Sequence, residues 1–108
     1  MLSLEESIAE EKKKYRDADK ELNEAYKRLY ARLDRIAREK LMKAQRDWIA
    51  FRDSDAALRG YCGRDDRKSS DIGKQGELVI YQALRARTEG RIQELVILTV
   101  LWQAASKP

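Results

Sequence analysis

The chain contains no histidine, so the commonest general base and metal-binding side chain is absent. Nucleophile–base pairs of the Ser–His or Cys–His type cannot be built from it. Its one cysteine, Cys62, has no partner for an internal disulfide and cannot form a cysteine-based metal site alone. A loop or partly buried thiol accounts for it; a bond between chains is the other option. The one proline is Pro108, so no interior position forces a helix to stop. No glycine-rich phosphate loop is present, because Gly73-Lys74-Gln75-Gly76 has neither the spacing nor the Lys-Ser/Thr pair such a loop needs. Strand-forming runs are scarce. The best, Val79-Ile80-Tyr81, sits inside a longer helical pattern. Leu95 to Trp102 is the most apolar run, well short of the ~20 residues a membrane span requires. Met1 to Lys14 is charged and amphipathic, unlike a signal peptide. The chain is therefore expected either in the cytoplasm or as an exported protein whose leader has been removed.

What remains is rich in Glu, Lys, Arg, Ala and Leu, which favours helix. Charged residues make up 39% and the net charge is +4, but the signs interleave, as in Glu10-Glu11-Lys12-Lys13-Lys14. That is the pattern of a solvated, salt-bridged helical surface. Nucleic-acid binding calls for a stripe of one sign. The nearest approach, Arg32, Arg35, Arg38, Lys40 and Lys43, is broken by Asp34 and Glu39, so that partner is disfavoured. The carboxylates sit among Lys and Arg, and nothing suggests the raised pKa that acid–base catalysis wants. We expect no enzyme activity, no cofactor and no bound metal.

A length of 108 residues suits one domain, 1–108. Apolar residues recur in steps of three and four from Leu4 through Leu22, Leu29 and Ile36 to Trp48, Phe51 and Leu58, which is one face of a helix. A helix that long would need partners throughout, so a break is expected. Asp34 is the best place, since its carboxylate can cap the next helix. The expected elements are a first helix over 3–33, a second over 35–58, a glycine-rich loop over 59–76 and a third helix over 77–105. The fold class is all-α, a long antiparallel hairpin with the third helix packed along it. The end of the third helix, Leu95 to Trp102, is apolar nearly all round. It is either buried between the first two helices or a surface for self-association or a partner.

A hairpin turning at Asp34 pairs residues whose numbers sum to about 68. Asn23 then faces Gln45, where an amide hydrogen bond could fix the register, Tyr26 faces Met42, Asp19 faces Ile49 and Arg16 faces Arg52. Gln45, Trp48 and Arg52 share a face, so Arg52 can stack on Trp48 or pair with Asp19 or Asp53.

The stretch Tyr15-Arg-Asp-Ala-Asp19-Lys-Glu-Leu22-Asn23-Glu-Ala-Tyr26 resembles the Asp-x-x-Leu-Asn-x-x-Tyr motif of the LprI-like domain, named for a bacterial lysozyme inhibitor. Leu41-Met-Lys-Ala44-Gln45-Arg46-Asp-Trp48-Ile49-Ala-Phe51-Arg52-Asp53 is similar to that family's second block. Thr88-Glu-Gly-Arg91-Ile-Gln-Glu-Leu95 is similar to its closing Thr-x-x-Arg-x-x-x-Leu. The resemblance implies a compact helical domain of the bacterial periplasm or cell surface that binds a protein, in some relatives a lysozyme. The chain departs from the pattern in two ways. Ala56 and Ala83 stand at about the places where the family commonly has cysteines, consistent with the loss of one disulfide. Its basic charge also opposes long-range steering toward lysozymes, which are typically basic.

The expected function is that of an envelope binding protein that blocks an enzyme, such as a muramidase, by occlusion. Arg59, Tyr61, Arg64 and Arg67 are the expected contacts, because Tyr and Arg are favoured interface anchors. Asp19, Asn23, Tyr26, Gln45, Trp48, Arg52, Asp53 and Arg91 are expected to be scaffold. The alternative is a cytoplasmic or periplasmic interaction module with no enzyme target, dimerising through the end of the third helix.

Overall fold

Helix formation starts where Ser3 takes an extended conformation and its hydroxyl accepts a hydrogen bond from the Glu6 amide, while the Glu6 carboxylate accepts one from the Ser3 amide. This reciprocal box satisfies amides that have no partner within the helix. In the computed structural model, which describes residues 1–105, the chain then forms α1 (Leu4–Arg32), α2 (Arg35–Cys62) and α3 (Gly73–Ala105). The fold is all-α, as expected. The break falls at Asp34, whose Oδ1 accepts from the Ala37 amide at 2.9 Å. Neither glycine nor proline takes part in this turn. Arg38 secures it, donating from Nε to the Tyr30 carbonyl at 2.8 Å and lying over the Tyr30 ring. The last carbonyls of α1 thus gain a donor and a positive charge together.

The other boundaries differ from expectation. α2 runs on to Cys62 and α3 begins at Gly73, so the connection is 63–72 rather than 59–76. Gly60 and Gly76 lie inside helices, where α2 and α3 approach closely. A Cβ built on Gly76 would stand 2.8 Å from the Gly60 carbonyl oxygen. Glycine serves as a contact surface at both positions, and among the described residues only Gly73 takes a positive φ, +61°.

α3 runs parallel to α1 and antiparallel to α2. Lys74 pairs with Glu5, Lys12 with Glu77 and Arg85 with Glu11 along the first contact. Gln45 meets Arg91 and Arg52 meets Thr88 along the second. Each of α1 and α2 packs mainly on α3 rather than on the other, which gives a flat molecule of 60 × 28 × 15 Å. The core lies toward the α1–α2 turn. Leu22, Ala25 and Leu29 of α1, Leu41 of α2 and Leu95 of α3 close on one another, ringed by Tyr26, Tyr30, Leu33, Trp48 and Ile92.

The position of α3 corrects the hairpin register. The level is right, because Arg52 meets Tyr15 and Asp19. The rotation is wrong: α1 turns the Ala18, Leu22, Ala25 and Leu29 stripe inward, which leaves Asn23 and Arg16 exposed. No Asn23–Gln45 bond forms; the buried Gln45 amide oxygen accepts from Arg91 Nε at 3.1 Å instead. The apolar end of α3 divides between the two expectations. Leu95 is fully buried, while Ile97, Val100 and Leu101 are each more than half exposed.

Candidate functional site

Eight residues singled out in the sequence gather unevenly around Arg52, which is 6% exposed. Its Nε donates to Asp53 Oδ1 at 2.9 Å and its Nη1 donates to Thr88 Oγ1 at 3.3 Å, with Asp19 Oδ1 3.8 Å from Nη1. The guanidinium lies over the rings of both Tyr15 and Trp48. All three partners expected for Arg52 (Trp48, Asp19 and Asp53) are therefore engaged, and Tyr15 and Thr88 join them. Burial pushes the Tyr15 phenol above its ordinary range, against the opposing effect of the Arg52 charge. Arg91 lies over Trp48 from α3, donates to Gln45 and pairs with Glu94. Arg52 and Arg91 thus join α2 to α3 on both sides of Trp48 in sequence level. Tyr26 stands apart, stacked on Tyr30 beside the apolar core, and Asn23 is exposed and hydrogen-bonds to none of these groups. Long side chains with planar ends do what Cα packing does not, and carry α1 to α2 across the gap.

The four expected contact residues lie at the opposite end of the molecule from the α1–α2 turn. Arg59 and Tyr61 belong to the last turn of α2, not to the loop. Arg59 pairs with Asp55 at 2.8 Å. Arg64 faces into the loop: its Nε donates to the Ser69 carbonyl, Nη1 to the Tyr61 carbonyl and Nη2 to the Arg67 carbonyl. Its guanidinium also lies 3.7 Å from the centre of the Tyr61 ring. One side chain therefore satisfies three carbonyls and holds the loop closed. Asp66, Ser69 and Asp71 complete the turn by accepting from the amides of Lys68, Asp71 and Gly73. Tyr61 and Arg67 remain exposed on this ordered tip, beside the exposed carboxylates of Asp65, Asp66 and Asp71.

Asp55 and Arg87 were not anticipated. Asp55 accepts from Arg59 within α2 and from Arg87 of α3. The Arg59 hydrogen bond holds this carboxyl below its ordinary range; burial works the other way, and the Arg87 charge adds to the depression. A carboxylate with a depressed folded-state pKa stabilises the fold above its unfolded value and loses that contribution as pH falls through the folded one. Asp55→Asn is therefore expected to lower the melting temperature at pH 6, with the deficit shrinking below about pH 4. A deficit that stays constant from pH 6 to pH 3 in thermal melts would show that the ion pair does not contribute. Arg85 and Glu11, 2.6 Å apart, were also missed, since their pairing depends on α3 running parallel to α1.

The basic stretch near the turn is largely engaged. Arg35 pairs with Glu39, Lys43 pairs with Asp47, and Arg38 donates to the Tyr30 and Ala31 carbonyls. Among the described residues no helix is long and apolar enough to cross a membrane. Compared with known proteins, the chain matches the family model described as lysozyme inhibitor LprI over residues 6–95. No curated protein and no solved structure matches it.

Proposed function

The chain belongs to the lysozyme inhibitor LprI family, and from that membership we propose that it is a bacterial envelope protein which binds a muramidase and blocks it by occlusion. The observation that supports a contact surface at the 63–72 tip is the inward-turned Arg64. A loop already held in one conformation loses little entropy on binding. With the Arg64 charge directed at carbonyls, the outward charges of the loop are those of Asp65, Asp66 and Asp71 against Arg67 and Lys68. A local surface of this kind can meet a basic enzyme even though the whole chain carries +4. Tyr61 and Arg67 are the proposed anchors, Arg64 positions them, and the Arg52 cluster is the scaffold that sets the angle between α2 and α3.

The test is titration of a purified muramidase with the full chain, following both activity and heat of binding. Wild type is expected to inhibit stoichiometrically. Tyr61→Ala and Arg67→Ala are each expected to weaken binding about 10-fold, the scale of an interface anchor. Arg67→Ala is expected to do so without moving the melting temperature, and Tyr61→Ala with a loss of a few degrees, because Arg64 loses the ring beneath it. Absence of both heat and inhibition at high micromolar concentration would retire the muramidase reading.

A further inference from the structure

The last three turns of α3 carry two apolar stripes, and the fold uses only one. Leu95, Thr99 and Trp102 turn inward toward α1 and α2, with Leu95 fully buried. Ile97, Val100, Leu101 and Ala104 turn outward at steps of i, i+3, i+4 and i+7, all exposed. That is the spacing with which one helix packs on another. No charged residue lies between Leu95 and Ala105, whereas upstream the outward face of α3 carries Gln82, Glu89 and Gln93. The change is confined to the segment that the sequence marked as apolar all round.

Beside this ridge runs a mostly apolar groove of about 410 Å³, walled by Leu29, Leu33 and Leu41 on one side and Leu98 and Leu101 on the other, with Lys40 and Arg91 also in its lining. Ridge and groove share Leu101 and so form one continuous surface. Val96, Ile97, Leu98, Val100 and Leu101 are each 40–59% exposed. Together they leave roughly 500 Å² of apolar surface in water, in the upper part of the about 300–600 Å² range for a monomer's largest patch, and such patches are often functional. Each partner of a small specific interface buries about 600 Å², so this stripe alone supplies most of the area that such a contact needs.

We propose that two copies of this chain associate through this face, related by a two-fold axis that crosses the two α3 helices antiparallel near Val100 and Leu101. A ridge beside a groove on one copy is self-complementary under a two-fold axis, which sets each ridge in the other copy's groove. The absence of charge from the stripe removes like-charge repulsion at the centre. Arg28 and Arg32, on the α1 side of α3, stay at the rim in water, and Lys40, in the groove lining but itself exposed, keeps its ammonium at the groove mouth. The contact leaves the 63–72 tip free at the far end of the molecule, so it is independent of the muramidase reading.

Sedimentation equilibrium of the full chain across the micromolar range tests the assembly. Wild type is expected to reach twice its 12.6 kDa mass. Leu101→Glu is expected to stay monomeric, with association weakened at least about 100-fold by an unpaired carboxylate at the centre of the contact. Val100→Cys in a Cys62→Ser background is expected to give a covalent dimer on mild oxidation, which reports the antiparallel geometry even if Leu101→Glu folds poorly. The proposal is overturned by a wild type that remains at 12.6 kDa up to high micromolar concentration, or by a Leu101→Glu variant that still dimerises. It is equally overturned if the wild type is monomeric in solution but co-sediments with anionic lipid vesicles, which would assign the stripe to a lipid surface.

Discussion

Gly76→Ala is expected to lower the melting temperature by about 10 °C, whereas Gly90→Ala is expected to raise it by a few degrees. Both replace a glycine within α3, and intrinsic helix propensity alone predicts a gain of up to ~1 kcal/mol at each. The two differ in what the new methyl group meets. At Gly90 nothing lies within 4 Å, so the gain stands undiminished. At Gly76 the Cβ would stand 2.8 Å from the Gly60 carbonyl oxygen and 2.7 Å from Ile72 Cβ. Both neighbours are close to the backbone, so the two helices must move apart. Overpacking at the upper end of its range costs about 3 kcal/mol. Subtracting the propensity gain leaves a loss of about 2 kcal/mol. For a domain of about 100 residues that corresponds to roughly 10 °C. Thermal melts of the pair decide the matter. A Gly76→Ala protein as stable as wild type would mean that α2 and α3 can separate at this crossing without loss.

The same glycines show why part of the fold could be read in the sequence and part could not. Local chemistry was legible. Asp34 caps α2 because a short carboxylate before an apolar-periodic run has few other uses; the Ser3–Glu6 box obeys the same logic but was not singled out. The partners of Arg52 were legible too, because Trp48, Asp53 and Asp19 lie within one turn on α2 or at one level across the hairpin. What depends on the third helix was not. Gly60 and Gly76 are loop signals in isolation, and only the approach of α3 to α2 makes them contact residues. Asn23 was set against Gln45 by counting along the hairpin, which fixes height but not rotation. Rotation is decided by the Leu22, Ala25 and Leu29 stripe turning toward Leu95, and Arg91 of α3 then takes the Gln45 amide. Arg64 is a further instance. An arginine in a polar loop looks free to meet a partner, but three open carbonyls within five residues of it make a closer site. A guanidinium with its donors in a planar fork satisfies them better than scattered water molecules.

Arg52→Ala is expected to cost about 3 kcal/mol, the largest loss among the polar positions, while Asn23→Ala, in the first motif block of the same family, is expected to stay within about 0.5 kcal/mol. Arg52 is nearly buried, lies over two aromatic rings and donates to Thr88, which is itself fully buried. Truncation removes two cation–π contacts, each worth about 0.5–2 kcal/mol. It also removes a hydrogen bond worth about 1 kcal/mol and leaves the Thr88 hydroxyl without that donor. The loss does not reach the upper range for broken buried ion pairs, because Asp19 and Asp53 are half exposed and can be hydrated once the arginine is gone. Asn23 is exposed and makes no comparable contact, so its side chain has little to lose. Arg52→Lys separates charge from shape. It keeps the positive charge near Asp53 but presents no plane to Tyr15 and Trp48 and no rigid fork that spans Asp53 and Thr88 at once. Denaturant titration is expected to place Arg52→Lys close to Arg52→Ala, at roughly 2 kcal/mol below wild type. If the lysine variant instead matches wild type, charge alone carries the contribution and the stacking of Arg52 between α1 and α2 is not what holds these helices at their level.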